Sequence, residues 1–243
     1  MSVRRTAPPE VQPKEFSFSA ENLDWAKKQL TKFPPGRQAS AVIPLMWRAQ
    51  EQHGGWLPEA AIRMIADMLE MEYIRALEVA TFYTMFLLHP VGKKAHVQVC
   101  GTTPCRLRGA DALFDVCQSR IHHDPFHISA DGNFSWEEVE CLGACVNAPM
   151  ALIWKDTYED LTPESFEKVL DGFASGKPVK PGPQIDRQFS APQGGPTTLT
   201  DKSIYETASA GAPSGAPLTD NNAKKPTQGA SERESPVSKN PKP

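Results

Sequence analysis

Large apolar side chains are almost confined to the first 175 residues of this 243-residue chain. That stretch holds 57 Ile, Leu, Val, Met, Phe, Trp and Tyr residues, whereas residues 176–243 hold 8 among 68 positions, 18 of which are Pro or Gly. So little apolar area does not offset the entropy lost on ordering. The sequence therefore predicts a folded part ending near residue 175 and a disordered tail over 176–243. Charge divides at the same point, with 17 basic and 23 acidic side chains before it and 9 and 6 after, for a net −3 overall. No excess of positive charge is available to neutralise phosphates, which excludes a strongly basic nucleic-acid binder. The longest largely apolar run, Ala41 to Trp47, is interrupted by Pro44 and falls far short of the ~20 residues a membrane span needs. Direct membrane insertion is not expected.

Five cysteines lie between positions 100 and 145. An odd count in a chain of this length, with no apolar leader, argues against a disulfide scaffold. Arg4 and Arg5 are followed by Pro8, Pro9, Glu10 and Lys14 rather than an apolar stretch. That argues against a secretory or twin-arginine signal and suits a mitochondrial transit peptide poorly. The compartment is read as reducing, the bacterial cytoplasm.

Residues 1–17 read as a flexible lead-in and 18–92 as a helical bundle. Ser19 is placed to cap a first helix, with Phe18 and Leu23 as a hydrophobic staple, and Pro34, Pro35 and Gly36 follow its end near Leu30. A second helix is expected from about Arg37 to His53, with Pro44 bending it or marking a late start. Pro58 suits the first turn of a third, which carries Ala61, Ile62, Ile65, Met68 and Leu69. A fourth is expected from Ile74 to Leu87, with Val79, Phe82, Tyr83 and Phe86 read as core. From Ala95 the pattern changes. His96 to Val99 alternates as a strand, a helix carries Ala110, Leu113, Phe114, Cys117 and Ile121 on one face, and Phe134–Glu140 and Met150–Lys155 read as further strands. Phe126-His127-Ile128 is a possible short one. Asp156–Asp160 read as a turn, after which Thr162 and Pro163 open a last helix lined by Phe166, Val169, Leu170 and Phe173. The fold class is thus α+β: a helical bundle, then an α/β domain over 93–175, then the tail.

Four cysteines form two pairs, Cys100 with Cys105 and Cys141 with Cys145, with four and three residues between partners and 35 between pairs. Each pair follows a predicted strand, in a loop rich in small residues and turn formers. Two such loops at one end of a sheet bring four thiolates to one centre. An all-thiolate zinc site is compatible with this spacing. The four-residue gap suits an iron–sulfur cluster, and two separated pairs supply the two thiolates that each iron of a [2Fe–2S] centre needs. Spacing alone leaves both open. Gly101 and Gly143 are expected to let backbone N–H groups approach the sulfurs. A helix beginning after Cys105 points its positive end at the centre, and Arg106 and Arg108 either add positive charge there or lie in solvent or against a partner. Cys117 reads as a small core residue. His122, His123 and His127 read as loop surface, and His53, His89 and His96 as structural. No Walker A loop, G-x-G-x-x-G or G-x-S-x-G is present. A redox centre without a substrate pocket suggests an electron carrier serving another subunit.

The chain resembles the [2Fe–2S] subunits of the NADH dehydrogenase module of respiratory complex I, the E subunits in bacterial naming. The resemblance lies in Ser40-Ala41-Val42-Ile43-Pro44-Leu45, Gly54-Gly55-Trp56-Leu57-Pro58, Glu78 to Met85, Pro90-Val91-Gly92-Lys93, Val99 to Cys105 and Val139 to Met150. It runs from about Phe16 to Phe173. It implies a thioredoxin-like ferredoxin domain after the bundle and a [2Fe–2S] cluster bound by Cys100, Cys105, Cys141 and Cys145. It also implies a partner flavoprotein that carries FMN, a further cluster and the NADH site and exchanges single electrons with this one, together with other peripheral-arm subunits of complex I. The implied location is peripheral, on the cytoplasmic side of the bacterial inner membrane. The chain would then be part of an NADH:quinone oxidoreductase, with no catalytic residues of its own.

The tail exceeds what the family core requires. Its +3 charge suits an acidic neighbouring surface, and a dispensable solvated extension accounts for it equally. Three rival readings are a diaphorase subunit of an NAD-linked hydrogenase or formate dehydrogenase, a zinc-stabilised interaction module, and a thiol–disulfide enzyme. The third is disfavoured by the lack of C-x-x-C.

Overall fold

The computed structural model describes residues 4–192 together with 194, 195, 198 and 201. Two units are distinguished, Met1–Gly195 and Pro196–Pro243. Almost all of the second, and with it most of the expected disordered tail, lies outside the described residues.

The first helix, α1 (Ala20–Leu30), is capped by the Ser19 hydroxyl, which accepts from the Asn22 N–H at 3.2 Å. A 3-10 turn (Gln38–Ala41) precedes α2 (Val42–Gln52), so Pro44 falls in the first turn, where its missing donor costs nothing. The next helices are α3 (Glu59–Met68) and α4 (Tyr73–Phe82). Leu45, Met46, Leu57, Ile62, Ile65 and Phe86 are fully buried between them, each contributing about 1.5–3 kcal/mol of burial.

Three expectations for this half need correction. Pro58 is the residue before α3, not its first helical residue, and its extended backbone offers no side-chain cap. The Glu59 N–H instead donates to the Gln12 side-chain oxygen at 3.0 Å. Gln12 belongs to the supposedly unstructured lead-in, which is pinned at several points from Arg4 onward. The Ala7 N–H donates to the Leu88 carbonyl at 3.0 Å, and Arg4 donates to the Tyr83 carbonyl at 2.9 Å and to that of Phe86. Third, α4 stops at Phe82, five residues short of Leu87. The buried Gln50 side chain holds the segment that follows, donating to the Met85 carbonyl at 3.1 Å and accepting from the Leu87 N–H at 2.7 Å. Phe86 therefore turns into the core, while Phe82 is 76% exposed and Tyr83 40%. The aromatic stripe is only partly a core.

The second half is a five-stranded sheet of order β2-β1-β3-β4-β5. Its strands are β1 (Ala95–Cys100), β2 (Phe134–Val139), β3 (Ala151–Ile153), β4 (Asp156–Glu159) and β5 (Gly182–Pro183). β1 runs parallel to β2 and antiparallel to β3. A short helix α5 (Thr103–Leu107), then α6 (Ala110–Arg120) and α7 (Pro163–Ser175) complete the unit. Ala95, Val97 and Val99 enter the core with Leu113, Cys117, Phe166 and Val169. The alternate residue His96 is buried in a polar ladder with Ser135 at 2.8 Å and Glu137 at 3.2 Å. Asp156–Glu159 form a strand rather than the expected turn, because the hairpin reverses at Trp154-Lys155, with Trp154 at φ 57. Only an isolated bridge, Ile128 to Ser135, marks the possible short strand.

The chain does not leave the fold at residue 176. Gly176 ends α7 at φ 69. The backbone then adds β5 in parallel to β4, Tyr158 opposite Gly182, and contacts continue to Phe189. Val179 packs against the core, but the contacts further along, at Arg187 and Asn147, are polar, which is why composition did not reveal the stretch.

Candidate metal centre

The four paired cysteines meet because β1 and β2 are parallel neighbours. Cys100 stands opposite Val139, so the chain leaves both strands at the same end of the sheet, and Cys141 follows two residues later. The Gly101 N–H extends this pairing by donating to the Val139 carbonyl at 2.9 Å, so it does not approach a sulfur as expected. The Gly143 N–H does, reaching Cys141 Sγ at 3.4 Å. Cys105 lies inside α5 rather than before a helix, and α6 begins only at Ala110.

The pairs differ in exposure: Cys100 and Cys105 are each 1% exposed, whereas Cys141 and Cys145 lie at the surface. The outer sulfurs are 3.3 Å apart, and the Thr102 hydroxyl, not anticipated from sequence, lies 3.2 Å from Cys100 Sγ. Burial opposes ionisation of Cys100, but Thr102, the Cys105 thiol and the Leu142 amide outweigh it and lower the pKa. Burial, then the hydrogen-bonded Cys100, push Cys105 up to about 12. The Gly143 amide, then Cys145, lower Cys141. The bond to Cys141, then burial, raise Cys145. Each loop pairs a thiol that ionises readily with one that resists, as two sulfurs sharing a proton do. Metal binding displaces that proton. Cys105 also feels the charge of Cys145, and Cys141 that of Cys100, so the two pairs lie within electrostatic range of each other. Two thiol pairs on two loops fit the donor set of a binuclear iron cluster.

Arg106 does not offer the centre a free positive charge. It pairs with Glu138 at 2.7 Å and with Asp111, and donates to the Gly101 carbonyl at 2.9 Å. Arg108 reaches the Ala148 carbonyl only at 3.5 Å. Cys117 is wholly buried, as expected, and burial holds its thiol well above the ordinary value. The rings of His122 and His127 stack 4.6 Å apart at 13°, beside Asp124. Near-parallel rings aim their in-plane lone pairs side by side, not at a common point. A cleft of about 1990 Å³ reaches Cys141 and Leu142, lined by Trp47, Glu51, Gln98 and Glu137 among others.

The family model for thioredoxin-like [2Fe-2S] ferredoxins matches residues 26–174, and the chain belongs to that family, whose cofactor is a [2Fe–2S] cluster. Its similarity to named proteins is narrower. The E 1 subunit of NADH-quinone oxidoreductase from Rhizobium meliloti (strain 1021) is 62% identical over 201 residues, 82% of this chain and 73% of that protein. The NADH-quinone oxidoreductase E subunit of Rickettsia bellii (strain RML369-C) is 53% identical over 156 residues, 64% of this chain and 93% of that one. A solved NAD+-reducing [NiFe]-hydrogenase chain aligns over 56% of this chain and 23% of its own, at 18% identity and TM-score 0.47, a likeness too slight to argue from.

Proposed function

We propose that Cys100, Cys105, Cys141 and Cys145 hold the [2Fe–2S] cluster, one loop to each iron, and that the chain is an electron-transfer subunit of an NADH:quinone oxidoreductase. The observation that carries this reading is the two-by-two arrangement of thiols at one sheet end, one pair buried and the other exposed. A bound [2Fe–2S] cluster supplies one-electron transfer. The protein's own residues anchor, polarise and expose it. Cys100 and Cys105 belong to the packed core, so the inner half is held rigidly. The Gly143 N–H directs its positive end at sulfur, as the Thr102 hydroxyl does once Cys100 is a thiolate, which favours added negative charge and raises the potential.

The exposed Cys141 and Cys145 let a partner approach. That partner is an FMN- and NADH-binding flavoprotein, with other peripheral-arm subunits around it, on the cytoplasmic side of the membrane. The relatives' name supports a quinone-reducing parent complex. No helix among the described residues is long and apolar enough to cross a membrane, which fits a peripheral subunit. Purification of the tagged chain from its own cells tests the assignment. Recovery with a flavoprotein and NADH:quinone reductase activity supports it. Recovery with hydrogenase or formate dehydrogenase subunits moves the chain to a soluble NAD-linked enzyme.

A further inference from the structure

Arg187 lies in the stretch whose composition predicts disorder, yet its side chain is 8% exposed and pairs at 3.1 Å with Asp160, itself 7% exposed. The same nitrogen, Nη1, donates to the Val146 carbonyl at 3.3 Å and to the Asn147 side-chain oxygen at 2.5 Å. Asn147 closes the 3-10 turn that begins at Cys145. Its amide donates to Glu159 at 2.6 Å and to the Phe189 carbonyl at 3.0 Å, and its own carbonyl accepts the Asp160 N–H at 2.7 Å. Residues 182–184 thus pair with β4, and Arg187 and Phe189 are tied through two side chains to the turn that carries Cys145.

We propose that residues 182–189 form a strap that fixes the second cysteine loop, with Arg187 as its positioning residue. A buried ion pair is a costly device for stability alone, since its desolvation offsets much of its attraction. It does, however, fix geometry, because the ion pair and the bonds to Val146 and Asn147 hold one nitrogen at one point. All of the Arg187 contacts converge on Nη1, and Nε is buried without a partner. The site therefore uses the residue's reach and charge rather than its planar fork, and a lysine ammonium suffices. The strap bears on the outer pair, whose cysteines are exposed and whose loop meets the core through the half-buried Leu142 and Ala144, whereas Cys100 and Cys105 are core residues themselves.

This inference rests on reading Cys141 and Cys145 as cluster ligands, and two readouts keep the claims separate. The cluster-loaded full chain is compared with Arg187→Met, Arg187→Lys and the double variant Asp160→Asn, Arg187→Met. The readouts are amide hydrogen exchange over residues 141–147 and bleaching by an iron chelator, beside thermal melting. Arg187→Met is expected to speed both local readouts on the order of tenfold, the weight of one charge-assisted hydrogen bond. Arg187→Lys stays within about twofold of the parent. The double variant leaves no buried charge unpaired and melts near the parent, yet still shows the fast loop. Parent-like exchange and bleaching in a folded double variant overturn the strap. A chain that never carries iron overturns the cluster reading, while the exchange arm still decides the strap.

Discussion

Cys100 faces Val139 across the parallel β1–β2 ladder, and this pairing brings Cys141, 41 residues further along the chain, to the same sheet end. Parallel neighbours expose their C-terminal ends together, so both loops open on one side without a long-range disulfide. The fifth cysteine is excluded because α6 turns it inward. Replacing Cys100 or Cys141 by Ser is expected to reduce bound iron from two per chain toward none. Cys117→Ala is expected to keep both irons and to cost about 1 kcal/mol of stability, the loss of one buried heavy atom. Iron analysis and thermal melting check both, and alkylation of Cys117 only after unfolding is a further sign of its burial.

Two glycines near the sheet differ in what a methyl group would meet. At Gly92 the added carbon would lie 2.3 Å from the Phe134 backbone carbonyl carbon, which cannot move aside. At Gly101 it would meet the end of the Glu138 side chain, which can. Gly92→Ala is expected to cost roughly 3 kcal/mol, at the upper end of overpacking. Gly101→Ala is expected to cost much less, mainly by parting Glu138 from Arg106 in an exposed ion pair. Equal costs in denaturant unfolding would contradict this contrast.

The helical half should carry a pH dependence of its own. His53 packs 4.9 Å from Trp56 and 6.0 Å from Phe16, and burial lowers its pKa below the ordinary 6.5. The folded state therefore holds this ring neutral at a pH where the unfolded chain binds a proton. That contribution to stability is present above 6.5 and is lost as pH falls through the lower folded value. His53→Phe keeps the ring contacts and removes the titration. The stability of the variant should fall less steeply than that of the parent below 6.5, and identical slopes would refute the assignment.

The folded boundary can be tested by truncation. A chain ending at Gly195 keeps β5, Arg187 and Phe189 and should melt as the full chain does. One ending at Gly176 leaves the buried Asp160 unpaired and should lose about 3 kcal/mol or more. Equal melting of the two would show that residues 177–195 contribute nothing.

Much of this was legible in the sequence where burial or capping governs. Ser19 and Thr162 cap the expected helices, Ala61, Ile62 and Ile65 form one buried face, and the cysteine pairs begin at the ends of their strands. What was hidden depends on contacts made by other parts of the chain. α4 ends at Phe82 because Arg4 and Gln50 take up the carbonyls beyond it, and no local signal announces that. The β3–β4 turn carries Trp154 at a positive φ, a conformation whose usual signals are Gly or Asn. Arg106 looked like a free cation because Glu138, 32 residues away, is brought beside it only by strand pairing. The stretch after 176 looked disordered because its order comes from one apolar contact, Val179, and from the polar contacts of Arg187 and Asn147, which composition does not show.

The central claim is that two loops grip one pair of irons, and the electron paramagnetic resonance spectrum of the dithionite-reduced protein tests it most directly. The account predicts one reduced [2Fe–2S] signal per chain, with two irons and two acid-labile sulfides in the same sample. A folded, colourless and resonance-silent protein holding one zinc ion would contradict it.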